Sequence, residues 1–186
     1  MNKGVQEVES ITDAARRFLL RVLKKVVKVA FPAALVSLFF NVFVAQAMMV
    51  QGSSMQPNLT YNQPVIVEKV TYCFAHGPRR GDVVVVDLPG EKELLVKRAV
   101  ALAGEMVAVQ SGQVFINGQP LEEPWATCQG GPDYPPTRVP AGHLFVLGDN
   151  REVSRDSRFF GPVPIDWIGG RVGFVIWPLD RIGRIH

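Results

Sequence analysis

From Val29 to Val50 the chain runs for 22 residues without a charged side chain. No other feature limits the possible folds as much. As an α-helix this run spans about 33 Å, enough to cross a hydrocarbon core of about 30 Å. Pro32, Asn41 and Gln46 weaken it, although a spanning helix tolerates a proline near its start. Residues 1–28 hold seven Lys/Arg (Lys3, Arg16, Arg17, Arg21, Lys24, Lys25, Lys28) and three acids (Glu7, Glu9, Asp13), a net of +4. The positive-inside rule then predicts a single-pass protein of the plasma membrane. Residues 1–28 form its cytoplasmic basic segment, 29–50 its transmembrane helix and 51–186 its extracytoplasmic domain. The alternative is a cleaved secretory signal, for which Ala45-Gln46-Ala47 offers a small-x-small site, but the apolar core of a signal is normally shorter.

The remainder of the chain has 13 basic and 14 acidic side chains. The overall charge of +3 therefore belongs to the flank of the apolar run. It gives no reason to expect nucleic acid as a partner, whereas the lipid bilayer is one. Within 10–28, Ile11, Ala14, Ala15, Phe18, Leu19, Val22 and Val26 recur at helical spacing, as in an amphipathic helix lying along a membrane face. The two cysteines, Cys73 and Cys128, could pair in an oxidising compartment, but their spacing does not decide it and no metal motif includes them.

After Val50 the texture changes to short apolar runs broken by turn residues. Pro64–Glu68, Gly81–Asp87, Leu94–Ala103, Met106–Gln110, Gln113–Ile116, His143–Gly148 and Gly170–Trp177 read as strands. Asn117-Gly118 is a hairpin signal. Residues 120–140, rich in Pro, Gly and acid, read as a mobile excursion. With no helical period of any length beyond residue 60, the domain is mainly antiparallel β, a folded-over sheet or partial barrel.

Two residues stand out chemically. Ser54 lies in Gly52-Ser53-Ser54-Met55-Gln56-Pro57-Asn58-Leu59, directly after the apolar run. Lys97 lies in the apolar run Leu95-Val96-Lys97-Arg98-Ala99-Val100, where alternation makes Leu95, Ala99 and Ala101 its face-mates. Beyond residue 50 only Lys69, Lys92 and Lys97 occur, against ten arginines. A lysine on an apolar face is either an edge or snorkelling side chain or a base whose pKa burial has lowered. In the second case desolvation, with repulsion from Arg98, would free the amine to activate a serine. The histidines, His76, His143 and His186, sit in loops or at the terminus without an evident acid partner. A third cluster, Gly148-Asp149-Asn150 through Ser154, Asp156, Ser157 and Arg158, follows an apolar strand. It reads as a charged turn, or as a source of hydroxyls to orient an amine and an Asp–Arg pair to stiffen the loop.

Taken in order, these blocks resemble type I signal peptidase, the membrane-bound Ser/Lys peptidase family that removes signal peptides. Gly52–Leu59 resembles its S-M-x-P-T-L block, with Asn58 where Thr is usual. Arg80-Gly81-Asp82 resembles its R-G-D strand, Val96–Glu105 its K-R-V-x-G-L-P-G-D block, and Gly148–Arg158 its G-D-N-x-x-x-S-x-D-S-R block. The resemblance implies a signal-peptidase-like β fold, with the insert of larger members reduced to residues 110–140. It implies Ser54 as nucleophile and Lys97 as general base, with Ser154 orienting the amine and Asp156 and Arg158 supporting the site. Val50, Met55, Leu59, Leu95 and Val96 match positions that line pockets for small residues. Gly52 replaces a serine that helps the oxyanion hole in some members, which leaves the Ser54 N–H as its donor.

The implied function is cleavage of exported preproteins after Ala-x-Ala through an acyl-enzyme, with no metal or cofactor and with signal peptides as partners. Three alternatives stay open: a peptidase dedicated to one pilin or conjugation substrate, a self-cleaving Ser/Lys regulator, and an idle β module that binds export partners.

Overall fold

The structure is a computed structural model and describes residues 3–39, 44–72, 76–126 and 130–185. It divides into two units, residues 1–42 and 43–186. The first is the helix α1 (Lys3–Phe39), which takes Pro32 in its interior. Its described side chains, 18–39, are exposed throughout.

The expected transmembrane helix over Val29–Val50 does not form. The described helix runs to Phe39, and the far end of the run is a strand, β1 (Ala45–Met49). Among the described residues that leaves eleven charge-free helical ones, Val29 to Phe39, about 16 Å and roughly half a hydrocarbon core. Arg21, Lys24, Lys25 and Lys28 occupy the turns before them. No helix among the described residues is long and apolar enough to cross a membrane. The single-pass topology, with its cytoplasmic and extracytoplasmic sides, rested on that span and falls with it. Hydropathy counted residues lacking charge, and a sheet claimed the last of them.

The second unit is built of short strands. After β1 come β2 (Pro64–Glu68), β3 (Val83–Val86) and β4 (Leu95–Ala101). A smaller set follows: β5 (Met106–Gln110), β6 (Gln113–Ile116), β7 (Gln119–Pro120) and β8 (Tyr134–Arg138). The chain then returns through β9 (His143–Leu147), the short helix α2 (Ser157–Phe160), β10 (Val163–Pro164), β11 (Ile168–Val175) and β12 (Gly183–Arg184). The larger sheet has the order β1-β2-β11-β3-β4-β9-β10, with β12 also on β11, and the smaller has β7-β6-β5-β8. All pairings are antiparallel, as alternation and short spacing predict.

Residue patterns explain which sheet faces are covered. The unbroken Val83–Val86 run is buried on both sides: Val83 and Val85 join a core with Val50, Met55, Leu59 and Val96. Val84 and Val86 face a second core with Ala99, Leu144 and Val146. In β9, Leu144 and Val146 take that second core, while Phe145 and Leu147 face a third with Val107, Val109 and Val114. Each such side chain contributes on the order of 1.5–3 kcal/mol relative to exposure. A bulge between Ala99 and Ala101 in β4 turns Ala101 into the third core, so it is not a face-mate of Leu95 and Ala99 as strict alternation required. The Asn117-Gly118 hairpin forms with both residues at positive φ, 52° and 82°.

Within 120–140, Tyr134–Arg138 pairs with β5, and Tyr134 packs its ring 4.9 Å from that of Phe145. The sequence hides this strand because its prolines mask the strand pattern. Pro135 and Pro136 are tolerated because β8 is an edge strand. Cys73 and Cys128 lie outside the described residues, and with them the question of a disulfide.

Candidate active site

Ser54 sits on a loop held from below by its own chain. Val50 N–H donates to Gln63 O at 2.9 Å and Asn62 N–H to Val50 O at 2.8 Å, closing the loop's base. Met55 and Leu59 sink into the first core, and Leu59 N–H donates to Met55 O at 2.8 Å, fixing a tight turn beneath the serine. Gly52 has φ 80°, a left-handed conformation that a side-chain-bearing residue adopts only with strain. Asn150 N–H, from the end of β9, donates to the Ser54 carbonyl at 3.0 Å.

Lys97 approaches from β4. Its Nζ donates to Ser54 Oγ at 2.7 Å, and the residue is only 3% exposed. Burial lowers its pKa from 10.5 to about 8; Asp156 pulls it back up, Arg158 pushes it down and Asp149 raises it. The repelling cation is thus Arg158, reached across space, where sequence proximity pointed to Arg98. Burial outweighs the two carboxylates because an ammonium stripped of water loses more than a screened attraction returns.

Asp156 and Arg158 are fully sealed and paired: Arg158 Nε donates to Asp156 Oδ1 and Nη2 to Oδ2, each at 2.9 Å. Asp156 also caps α2 through Arg158 N–H and accepts from Gly148 N–H at 3.1 Å. Ser154 Oγ is buried without a hydrogen-bond partner among the described residues, so it does not hold the Lys97 amine in this structure. It lies against Gly148. A Cβ on Gly148 would collide with Ser154 Oγ on one side and stand 2.5 Å from the Ser54 carbonyl on the other, so only glycine allows the two loops to meet.

Of the expected pocket residues, Val50, Met55, Leu59 and Val96 are buried together in the first core, and half-buried Leu95 packs against the second. The described histidines bond within their own loops: His76 Nδ1 lies 2.7 Å from Gly77 O and His143 Nδ1 2.9 Å from Ala141 O.

Sequence reading missed the polar framework behind the site. Arg98 donates to both oxygens of Asp149, at 2.8 and 2.7 Å, with both side chains buried. Arg151 donates to both oxygens of Glu123, at 3.1 and 2.6 Å, and its Nε donates to Gly148 O. Arginines directly beside a candidate base and inside a turn block were the available signal. Glu123, in a segment resembling surface loop, gave none.

Comparison with known proteins fits this architecture. The family described as "Signal peptidase, peptidase S26" matches residues 23–177, and the chain belongs to it. That makes it a hydrolase of the signal-peptidase I type. A signal peptidase I from Leptolyngbya laminosa is 42% identical over 163 residues, covering 82% of this chain and 79% of that protein. A probable signal peptidase I-2 from Synechocystis is 34% identical, covering 85% of this chain and 75% of that protein. A signal peptidase I from Bacillus caldolyticus is 36% identical, covering 81% and 90%.

Proposed function

We propose that the protein is a serine endopeptidase that removes signal peptides from exported preproteins, with Ser54 as nucleophile and Lys97 as general base. The observation that carries this reading is the 2.7 Å contact between Lys97 Nζ and Ser54 Oγ, made by a lysine almost sealed from water. A charged amine can only donate to the hydroxyl. A neutral one accepts its proton. With a pKa of about 8, about one amine in ten is already neutral at pH 7.

In the reaction, Lys97 Nζ takes the hydroxyl proton as Ser54 Oγ bonds to the scissile carbonyl carbon. The Ser54 N–H stabilises the oxyanion, the C–N bond breaks, and the leaving amine takes the proton from Lys97. Water then attacks the acyl carbon and gives a proton to Lys97, which passes it to Ser54 Oγ as the acyl C–O bond breaks, restoring the free serine and the neutral amine. A role for the Ser154 hydroxyl in orienting the Lys97 amine rests on the family resemblance. Asp156 and Arg158 oppose each other's field on Lys97 and so tune its proton affinity. Beside the Ser54 loop runs β1, an edge strand of the larger sheet, whose open side offers main-chain hydrogen bonds to an extended peptide. Preference for Ala-x-Ala before the cut rests on the family resemblance.

The test is incubation of purified protein with a preprotein bearing Ala-x-Ala, followed by sequencing of the new N-terminus. Ser54→Ala and Lys97→Ala should each abolish cleavage, while Lys69→Ala and Lys92→Ala keep it. Full activity in Lys97→Ala would sink the assignment.

A further inference from the structure

Between β7 and β8 the chain Leu121–Ala126 reaches Asn58 and Arg98, and Trp125 is engaged at two points. Its carbonyl accepts from Asn58 Nδ2 at 2.8 Å. Its ring covers the Arg98 guanidinium, 5.0 Å from ring centroid to carbon. The second hydrogen of Asn58 Nδ2 goes to Asp149 Oδ2 at 2.8 Å, and Asp149 holds Arg98 through both oxygens. The contacts close on themselves: Trp125 carbonyl, Asn58, Asp149, Arg98, Trp125 ring. Two residues before Trp125, Glu123 of the same segment grips Arg151, which holds the Gly148 carbonyl.

Three of the four members of this circuit adjoin a part of the proposed machinery, and Trp125 joins two of them. Asn58 ends the turn that starts at Ser54, Arg98 follows Lys97 in β4, and Asp149 stands between Gly148 and Asn150, whose N–H holds the Ser54 carbonyl. The chemistry of Asn58 is specific. An amide has two N–H donors and both are used, a pairing that a side chain with a single hydroxyl donor could not reproduce. The Trp125 indole N–H is buried without a hydrogen-bond partner among the described residues. The ring's grip is therefore the face it lays on a desolvated guanidinium.

We infer that Leu121–Ala126 is a strap that sets the distance between nucleophile and base, with Trp125 and Asn58 as its positioning residues. The inference rests on the Ser54–Lys97 reading above. A displacement of about 1 Å in a reacting pair can cost on the order of a hundredfold in rate. Opening the circuit at either link should accordingly lower turnover.

The test measures kcat and KM for preprotein cleavage, with the full chain, for Trp125→Leu, Trp125→Phe, Asn58→Ala and Ser54→Ala. Trp125→Leu and Asn58→Ala should each lose at least about tenfold in kcat with KM within about threefold, the signature of misplacement after binding. Trp125→Phe keeps a ring over Arg98 and deletes the unpartnered N–H, so it should recover most of the turnover lost in Trp125→Leu. A wild-type kcat in either Trp125→Leu or Asn58→Ala overturns the strap, because a closed circuit must fail alike at each link. Asn58 is exposed, so its variant reads the circuit even where Trp125→Leu fails to fold. Cleavage by Ser54→Ala would instead overturn the underlying dyad, and with it the strap.

Discussion

Replacing Lys97 by methionine separates two roles that a buried lysine can play. In the folded chain its pKa is about 8 against an ordinary 10.5. Between these values the unfolded chain holds a proton that the folded chain does not, so stability rises with pH through that window. Above about 10.5 the group costs nothing. As pH falls to 8 the cost grows, and below 8 it is fully present at about 3 kcal/mol. Methionine keeps the length and removes the charge. It also strips Ser54 Oγ of its partner, a loss of about 1 kcal/mol. The balance predicts a Lys97→Met protein that cleaves nothing yet is about 2 kcal/mol more stable than wild type at pH 7. Raising the pH to 9 should narrow this gap by about 1 kcal/mol, because wild type recovers while the mutant has nothing there to titrate. Equilibrium urea unfolding of both proteins at the two pH values reads the difference directly. A mutant less stable than wild type at pH 7, or a gap that does not narrow, would show that Lys97 is a charged structural partner of Asp156 and Asp149.

Three further outcomes follow from the packing. Gly148→Ala should lower stability by about 1–3 kcal/mol through overpacking against Ser154 and the Ser54 carbonyl, and should abolish cleavage, as melting and turnover will report. Asp149→Asn leaves the Arg98 guanidinium buried without its counter-charge and should cost about 3–5 kcal/mol in urea unfolding. Glu91→Gln breaks the Arg155–Glu91 pair, whose arginine side chain is 70% exposed, and the same measurement should find less than about 1 kcal/mol.

The sequence was legible where a residue type contradicts its surroundings. Lys97 in an apolar strand is such a contradiction, and the structure brings its side chain to that of Ser54, the serine directly after the apolar run. Strands were legible from Val-rich runs bounded by glycine and proline, and the Asn-Gly hairpin from its φ requirement. The end of α1 was not. Absence of charge is shared by membrane helices and by strands such as Ala45–Met49, and only pairing with Pro64–Glu68 tells them apart. The strap was hidden for the opposite reason. Glu123 and Trp125 read as loop residues, because their partners Arg151, Asn58 and Arg98 are distant in sequence and contacts of that kind leave no periodicity.

The central claim, that the Lys97 amine takes the Ser54 proton, is tested most directly by the pH dependence of kcat/KM for preprotein cleavage between pH 5.5 and 10. This ratio reports ionisations of the free enzyme. Because only the neutral amine is a base, activity should rise with pH along a limb with an apparent pKa near 8, the value that burial gives Lys97. A limb near about 6.5, where a histidine titrates, or a rate flat across the whole range would contradict the account.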